Sequence, residues 1–583
     1  MLKPQRNQHR ELIPLDGYWD FRPDPLGEGE AAGWGAGFVA TTQLAVPGSW
    51  NEQQTDLESY FGRGWYATTF EVPETWSHRS VRLHVGSAQT RAQVWINEQL
   101  VGSHRGGCLP FEFELAGVLR PGERNRLVME VDASLDPWDL PAAKIEASAP
   151  EGFHQSNPAI TYDFFPFGGI ARSVQIELTP TVARLESIST EYTLDLADRR
   201  AAVTVQVTAR HAGGLRVTAV LGDQVASAQL DDSGAATLSI QLANVRLWDV
   251  GQPELYALVV KLSSDTTTVD LYEQCLGFRV VEVTPDAFLL NGRPVFLKGF
   301  GKHEDFPLTG RAMPPAAIVR DFDLLRWSHA NSFRTSHYPY AEEWYEQADR
   351  LGVLIIGESP LVGLCQRLFD APEILDRSLE LIRNMIERDR HHPSVIMWSV
   401  ANEPWIESSA GEAFISRLLA YARALDRSRP ITYVAHMDPQ RNAPSHECDV
   451  VCVNKYFGWY ELPGDIAAGT SSLGRALDEF RAAFGKPVLL AEFGADAIPG
   501  LHSLPAVMFS EEFQAEIIEA QYREARRRPW IMGTHVWAFA DFKTPQSITR
   551  VMRNHKGIFT RDRSPKLAAH ALRRLWDEDA RNA

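Results

Sequence analysis

The 583-residue sequence lacks the even, closely spaced cysteines of a disulfide framework. Its five cysteines are scattered along the chain: Cys108, Cys275, Cys365, Cys448 and Cys452. An odd, dispersed set is typical of a protein from a reducing compartment. Cys448 and Cys452 are not followed by a second pair of ligands, as a zinc site would require. We therefore expect these two to lie on one face of a buried strand, and we expect no metal and no other cofactor.

Basic residues are outnumbered by acidic ones, and long apolar runs are scarce. The chain has 58 Lys and Arg against 75 Asp and Glu, a formal net charge of -17, which disfavours a partner recognised through its phosphate backbone. Residues 1–14 lack the apolar stretch of a secretory signal, and no later run is long enough to span a bilayer. We expect no nucleic-acid partner, no membrane partner and a cytoplasmic location.

The sequence shows no repeat of fixed period and no low-complexity segment, and its hydrophobic and charged contents of 44% and 23% are those of a globular protein. The length predicts several domains, because one core rarely serves more than about 250 to 300 residues. Short runs of β-forming residues broken by Pro and Gly, such as Val81–Val85 and Val203–Val207, fill the first half. They predict one β-sandwich over residues 1–180 and a second over residues 181–283.

After residue 283 strands and helices alternate. Pro314 and Pro315 open an amphipathic helix, and a helix from Ala341 to Leu351 ends at Gly352 before the apolar run Val353–Ile356. Counting from a first strand at residues 295–297 gives about eight such repeats. The sequence therefore predicts a (β/α)8 barrel over residues 284–583, and a mixed fold class of two β-sandwiches followed by that barrel.

Three carboxylates stand where predicted barrel strands end, which is where such barrels carry their reactive groups. Glu358, Glu403 and Glu492 each follow an apolar run. Two carboxylates flanking a sugar can break a glycosidic bond. Sequence position alone does not rank the three, and each could equally be a strand-end carboxylate bonded to the backbone or to an arginine.

Longer motifs carry a resemblance to a known family. They include Asp163-Phe164-Phe165, Lys298 to Asp305, Asn331 to Pro339, Asn402-Glu403-Pro404 and Gly557 to Arg563. Together these segments resemble the β-glucuronidases of glycoside hydrolase family 2, from the first sandwich to the last helix. The resemblance implies that residues 1–180 form a sugar-binding-type β-sandwich (jelly roll) and residues 181–283 an immunoglobulin-like β-sandwich. It also implies a retaining, exo-acting enzyme that hydrolyses β-D-glucuronides to glucuronate and an alcohol.

The resemblance also implies roles for particular residues. Glu492 would be the nucleophile and Glu403 the acid/base, with a pKa raised by the nearby negative charge of Glu492. Asn402 would contact the sugar 2-hydroxyl. Further sugar contacts are implied for Asp163, His303, Tyr456, Tyr460 and Trp537, and contacts to the glucuronate carboxylate for Arg550, Asn554 and Lys556.

Some features leave alternatives open. Phe493 and His555 stand where many relatives have Tyr and Lys, and the segment Pro360–Pro372 is short where several relatives have a long loop over the site. A β-galacturonidase, another family 2 β-glycosidase and a non-catalytic carbohydrate-binding protein are the rival interpretations. We also expect a homo-oligomer. The aglycone, the assembly and the pH optimum are not readable from the sequence.

Overall fold

The computed structural model describes residues 1–143, 156–180, 183–265 and 267–582. Two β-sandwiches precede a closed barrel of eight parallel strands, which confirms the predicted fold class. None of the helices in these described ranges is long and apolar enough to cross a membrane.

The first sandwich packs a six-stranded sheet against a four-stranded one around a core that includes Trp19, Phe21 and Leu83. Asn97 and Glu98 form the turn between two antiparallel strands, and both residues have positive φ, 47° and 74°, as a tight hairpin turn requires. The six-stranded sheet has the order Thr42–Val46, Gly17–Asp24, Arg63–Val72, Glu123–Asp132, Arg91–Ile96 and Gln99–Arg105. The other has the order Glu11–Pro14, Val174–Pro180, Arg79–Val85 and Phe111–Glu114.

The second sandwich shows the alternation expected of strands with one buried face. Val203, Val205 and Val207 are buried while the residues between them face outward. One sheet contains Arg184–Asp195, Arg200–Arg210 and Ala235–Leu242. The other contains Gln224–Gln229, Arg216–Leu221, Tyr256–Ser264 and Thr267–Leu276.

The barrel strands, β1 to β8, are Leu297–Gly301, Ser332–Arg334, Leu354–Glu358, Val395–Asn402, Ile431–Ala435, Val451–Asn454, Val488–Glu492 and Ile531–Trp537. Strand β1 begins where the prediction placed its end, because Gly299 and Gly301 weaken the strand signal in the sequence. Gly299 is required there, since a Cβ would lie 2.0 Å from the carbonyl oxygen of Ser332 on β2.

The barrel helices are Pro315–Trp327, Glu342–Leu351, Gln366–Phe369, Pro372–Asp389, Ser409–Leu425, Ile466–Phe484, Glu511–Arg526 and Leu567–Asn582. The helix predicted to stop at Gly352 does so, with φ of 68° at that glycine. Two short 3-10 turns, Pro439–Arg441 and Ala443–His446, follow β5 in place of an α-helix. Cys448 lies after these turns and before β6, whereas Cys452 lies within β6. The prediction of one shared strand for the two cysteines was therefore wrong, although both are buried.

Candidate active site

A cavity of about 310 Å³ opens at the carboxyl ends of the barrel strands. Because parallel strands end at one edge, residues far apart in sequence meet there. Nine of the eleven residues predicted for the site line it: Asp163, Asn402, Glu403, Tyr456, Tyr460, Glu492, Trp537, Arg550 and Lys556. The other two, His303 and Asn554, lie behind this lining and contact it.

The two candidate catalytic glutamates end strands at different sides of the cavity. Glu492 is the last residue of β7, and Glu403 directly follows the last residue of β4. Glu403 has a left-handed backbone with φ of 48°, and its N–H donates to the carbonyl oxygen of Val434 at 2.9 Å. A non-glycine residue adopts this conformation at some cost in strain.

Arg334 and Tyr456 hold the carboxylate of Glu492. The Nη2 of Arg334 donates to Oε1 of Glu492, and the hydroxyl of Tyr456 donates to Oε2 at 2.6 Å. Arg334 is fully buried and is itself fixed by Glu358, whose two oxygens each lie 2.7 Å from its Nη1. The carboxylate of Glu492 thus has one oxygen on a cation and the other on a phenol.

Glu358 has a different environment from the other two strand-end carboxylates. In addition to Arg334, it accepts a bond from Ser399 at 2.8 Å and contacts Nδ1 of His337 at 2.7 Å. It is completely buried and does not line the cavity. Of the three carboxylates that the sequence could not rank, Glu358 is thus the one that supports Arg334.

The carboxyl of Glu403 has a neutral partner. The side-chain amide of Asn454 donates to its Oε1 at 2.7 Å. Burial raises the pKa of Glu403, and the Asp163 carboxylate raises it further, whereas the amide of Asn454 and the charge of Arg334 lower it. The pKa of Glu403 is thus raised, in the direction that was predicted, but the main cause is burial rather than the charge of Glu492.

The pKa of Glu492 is raised as well, first by burial and then by repulsion from Glu403, against the opposing charge of Arg334. Two buried carboxyls that repel each other do not both ionise easily, so one of the pair holds a proton. Glu492 has a guanidinium in direct contact and Glu403 has only an amide. The proton is therefore more stable on Glu403.

Asp163 brings the first sandwich into the site. Its carboxylate accepts two bonds from Arg550, at 3.0 Å from Nε and 2.6 Å from Nη2. The side-chain amide of Asn554 donates to the same carboxylate at 2.7 Å. Asn554 is completely buried, and its own Oδ1 accepts the N–H of Lys556 at 2.9 Å. Asn554 therefore positions both Asp163 and Lys556 through hydrogen bonds made from behind the cavity wall.

Lys556 is also paired inside the protein. Its ammonium forms an ion pair with Asp496, and both side chains are buried. The hydroxyl oxygen of Tyr460 accepts from Lys556 at 2.9 Å and from Arg550 at 2.8 Å. The two cations thus lie side by side, joined through one phenol oxygen, at the end of the cavity nearest the segment that follows β8.

His303 supports the aromatic floor of the cavity. Its Nδ1 lies 3.1 Å from the hydroxyl of Tyr338, and its ring meets the face of Trp537 edge-on at 5.3 Å between centroids. Burial lowers the pKa of His303 well below its ordinary value, so the ring is neutral at pH 7.

Models of three successive domains match almost the whole chain. They are described as Glycosyl hydrolases family 2, sugar binding domain, for residues 12–180, Glycosyl hydrolases family 2 for residues 175–279, and Glycosyl hydrolases family 2, TIM barrel domain, for residues 281–579. The chain belongs to glycoside hydrolase family 2. It is therefore a glycoside hydrolase.

Relatives of this family 2 hydrolase match it over more than nine-tenths of their length. A β-glucuronidase of Paenibacillus borealis is 38% identical over 99% of both chains, and the human β-glucuronidase is 34% identical over 99% of this chain and 92% of its own. Among solved structures, a Bifidobacterium dentium β-glucuronidase in complex with coumarin-3-O-glucuronide has a TM-score of 0.93 at 37% identity, covering 99% of this chain and 98% of that one. A Ruminococcus gnavus β-glucuronidase in complex with D-glucuronic acid has a TM-score of 0.90 at 35% identity, covering 99% of both chains.

Three residues of the family 2 site were missed by the sequence reasoning. Arg334 ends β2 within a motif already noted, and Asn454 ends β6, so a search for every polar strand end would have found both. Asp496 lies in the segment after β7, and no local pattern marks it as the partner of Lys556. No cluster of three or more His, Cys, Asp or Glu side chains that could hold a metal occurs in the described parts of the chain.

Proposed function

We propose that this family 2 hydrolase is a retaining, exo-acting β-glucuronidase. The observation that carries the proposal is the pair of adjacent cations, Arg550 and Lys556, at one end of the cavity. Two glutamates and several polar and aromatic side chains line the same cavity. The Paenibacillus borealis and human relatives, which match over 99% and 92% of their own length, are β-glucuronidases.

The cation pair favours a sugar with a carboxylate of its own. Arg550 and Lys556 are each balanced by an internal acid, Asp163 and Asp496. This balance stabilises the two buried cations when no substrate is bound, because an isolated buried charge would be costly. A uronate carboxylate placed between them gains charge-assisted hydrogen bonds that a neutral hydroxymethyl group cannot form equally well.

The two glutamates support a double displacement. Protonated Glu403 would donate its proton to the departing oxygen while ionised Glu492 attacks the anomeric carbon and forms a glycosyl ester. Glu403, now ionised, would deprotonate a water molecule that releases the sugar and returns Glu492 to the carboxylate. Arg334 and Tyr456 fix the nucleophile with both oxygens bonded, so attack needs little reorganisation.

Asp163 bears on the choice between glucuronide and galacturonide. Its partly exposed carboxylate is held by Arg550 and Asn554 at the cavity edge, where it can accept a bond from a sugar hydroxyl. These two uronates differ only at C4, so a β-galacturonidase is the second candidate. A non-catalytic carbohydrate-binding protein is disfavoured, since such a protein has no chemical need of the pair Glu403 and Glu492 that lines the cavity.

The decisive experiment measures kcat/KM for 4-nitrophenyl β-glucuronide, β-galacturonide, β-glucoside and β-galactoside with the full chain. We expect the glucuronide to exceed both neutral glycosides by at least about a hundredfold, since losing a charge-assisted contact pair costs about 3 kcal/mol or more. A preference for either neutral glycoside would overturn the proposal, and a higher value for the galacturonide would replace it with the second candidate.

A further inference from the structure

A second, smaller cavity lies at the junction of the first sandwich and the barrel region. Its volume is about 40 Å³, which is room for roughly two or three water molecules or one monatomic ion. The sandwich contributes Cys108 and Tyr162 to its lining, and the segment that follows β1 contributes Arg311. Tyr162 also lines the candidate active site and directly precedes Asp163. The two cavities therefore share Tyr162 as a wall.

Arg311 is a cation inside the protein, with only 7% of its surface exposed. No carboxylate of the described residues forms an ion pair with it. Its Nη2 lies 3.4 Å from Sγ of Cys108, its Cζ lies 3.4 Å from the centroid of the Tyr338 ring, and its Nε is shielded without a hydrogen-bond partner. A thiol and a phenol ring are neutral, whereas buried charges in proteins are normally paired. Arg311 thus lacks a counter-ion within this part of the chain.

The acid on the barrel side of the junction is already bonded to other groups. Glu304 attracts Arg311 through space, but its carboxylate accepts from Nη2 of Arg172 at 3.0 Å and from the N–H of Ala341 at 2.9 Å. Arg172 also donates to the carbonyl oxygen of Cys108 at 2.8 Å. Two guanidinium groups therefore lie on either side of Cys108, and Glu304 pairs with only one of them.

The acids on the sandwich side are bonded as well. Asp136 and Asp139 both line the small cavity. Asp136 accepts from Nη1 of Arg91 at 3.1 Å, and Asp139 accepts from Nη2 of Arg105 at 2.7 Å. Each of these acids is thus neutralised by an arginine of its own domain. The charge of Arg311 remains to be balanced.

We propose that this junction cavity binds a monatomic anion, chloride, with the guanidinium of Arg311 as its cationic ligand. The hydroxyl of Tyr162 makes no hydrogen bond to another described residue, so it can be a second donor. Charge-assisted bonds from a guanidinium are strong where water is excluded. The volume admits one chloride but not a tetrahedral oxyanion. The bound ion would link the sandwich to the barrel region directly beside Asp163 and stabilise that junction.

The first experiment measures thermal unfolding of the full chain at constant ionic strength while sodium methanesulfonate is replaced by sodium chloride. Methanesulfonate has the same charge but is too large for the cavity. An anion that binds only the folded protein raises its stability until the site is saturated. We expect the apparent Tm to rise by roughly 2 °C or more and then level off. This measurement does not involve turnover, so its failure would leave the proposed function intact.

Two variants locate the effect. Arg311→Met keeps a long unbranched side chain without its charge and should abolish the rise. Tyr162→Phe removes one donor and should move the midpoint of the rise to about tenfold higher chloride, the loss expected for one hydrogen bond to a charged group. Arg124→Met is the control, because Arg124 is an exposed arginine of the same sandwich that pairs with Glu71 at 2.9 Å and does not line the cavity. It should keep the wild-type response.

The second experiment locates the ion directly. Crystals of the wild-type protein soaked in sodium bromide should show an anomalous difference peak in the junction cavity, within hydrogen-bond distance of Arg311. No saturable rise in wild type, or bromide bound only elsewhere, would overturn the proposal. A rise retained in folded Arg311→Met would also overturn it, since chloride would then act at another place, such as Arg550 and Lys556. If Arg311→Met does not fold, an unchanged midpoint in Tyr162→Phe together with no bromide peak beside Arg311 rejects the site.

Discussion

Arg550 of the barrel region binds both carboxylate oxygens of Asp163, a residue of the first sandwich, at 3.0 and 2.6 Å. The two residues are 387 positions apart in sequence. Their contact places an acid from one domain and a cation from another in the same cavity. The candidate active site is therefore a property of both domains together and not of the barrel alone.

Asp163→Asn should lower kcat/KM for the aryl glucuronide by roughly tenfold. The change leaves Arg550 without its acid, a loss that we discount to about 1.4 kcal/mol because the Asp163 side chain is 42% exposed. The measurement is steady-state kinetics. Asp16→Asn is the control, since Asp16 belongs to the same sandwich and does not line the cavity. Equal losses in the two variants would contradict a role for Asp163 in the site.

Lys556→Ala should damage glucuronide hydrolysis far more than hydrolysis of the matching glucoside. Removing one partner of a buried charge pair costs about 3 to 5 kcal/mol, or several hundredfold in specificity constant. The glucoside lacks the carboxylate, so its slow hydrolysis should change much less. The ratio of the two kcat/KM values in wild type and variant is the measurement, and an unchanged ratio would mean that Lys556 does not contact the uronate.

The buried partner of Lys556 requires a second variant. Lys556→Ala removes the ammonium that holds the pKa of the buried Asp496 below its usual range, and an ionised Asp496 beside the position of the uronate would add repulsion to the loss. Lys556→Met combined with Asp496→Asn removes both charges. We expect the double variant to recover part of the glucuronide activity lost in Lys556→Ala, without reaching wild type. If the double variant is worse than the single one, Asp496 does not act through its charge.

Glu492→Gln should abolish nearly all turnover, because the nucleophile is lost. Glu403→Gln should lose on the order of 10² to 10⁴ with poor leaving groups and much less with 2,4-dinitrophenyl glucuronide, whose departure needs no proton. Leaving-group series for both variants provide the measurement. Wild-type turnover by Glu492→Gln would reject the assignment of Glu492 as the nucleophile. Equal impairment of Glu403→Gln with every leaving group would reject the assignment of Glu403 as the acid.

Double displacement predicts that the first-formed sugar keeps the β configuration. Proton NMR recorded early in hydrolysis of a β-glucuronide should show the β anomer before mutarotation produces the α anomer. An α product at the earliest times would require an inverting enzyme, with Glu492 activating water in place of attacking the sugar.

Asn454→Ala should shift the alkaline side of the pH profile upward by about one unit. Glu403 must be protonated to act as an acid, so activity falls as the pH rises through its pKa. The amide of Asn454 stabilises the ionised form and lowers that pKa, and a hydrogen bond to a charged group is worth about 1.5 kcal/mol. The profile of kcat/KM against pH gives the shift. Asn442→Ala, another buried asparagine outside the cavity, should leave the alkaline side unmoved.

The sequence by itself determined the order of domains and most of the barrel. Alternating apolar residues predicted the sandwich strands, and the ends of apolar runs predicted the positions of Glu403 and Glu492, because these signals are local and repeat with the period of the element. The first barrel strand was misplaced, since the residues Leu297–Gly301 contain two glycines and their strand depends on a close approach to β2.

Only the tertiary structure distinguished the surroundings of the three strand-end carboxylates. Glu358, Glu403 and Glu492 have the same local pattern, yet Arg334 binds both Glu358 and Glu492, and Asn454 binds Glu403. Those partners come from other strands of the closed barrel, so their identity depends on register and closure. Likewise, no stretch of sequence indicates that Asp496 meets Lys556. The electrostatic environment of a side chain depends on which groups lie near it in space. A local sequence pattern involves only residues that are near one another along the chain.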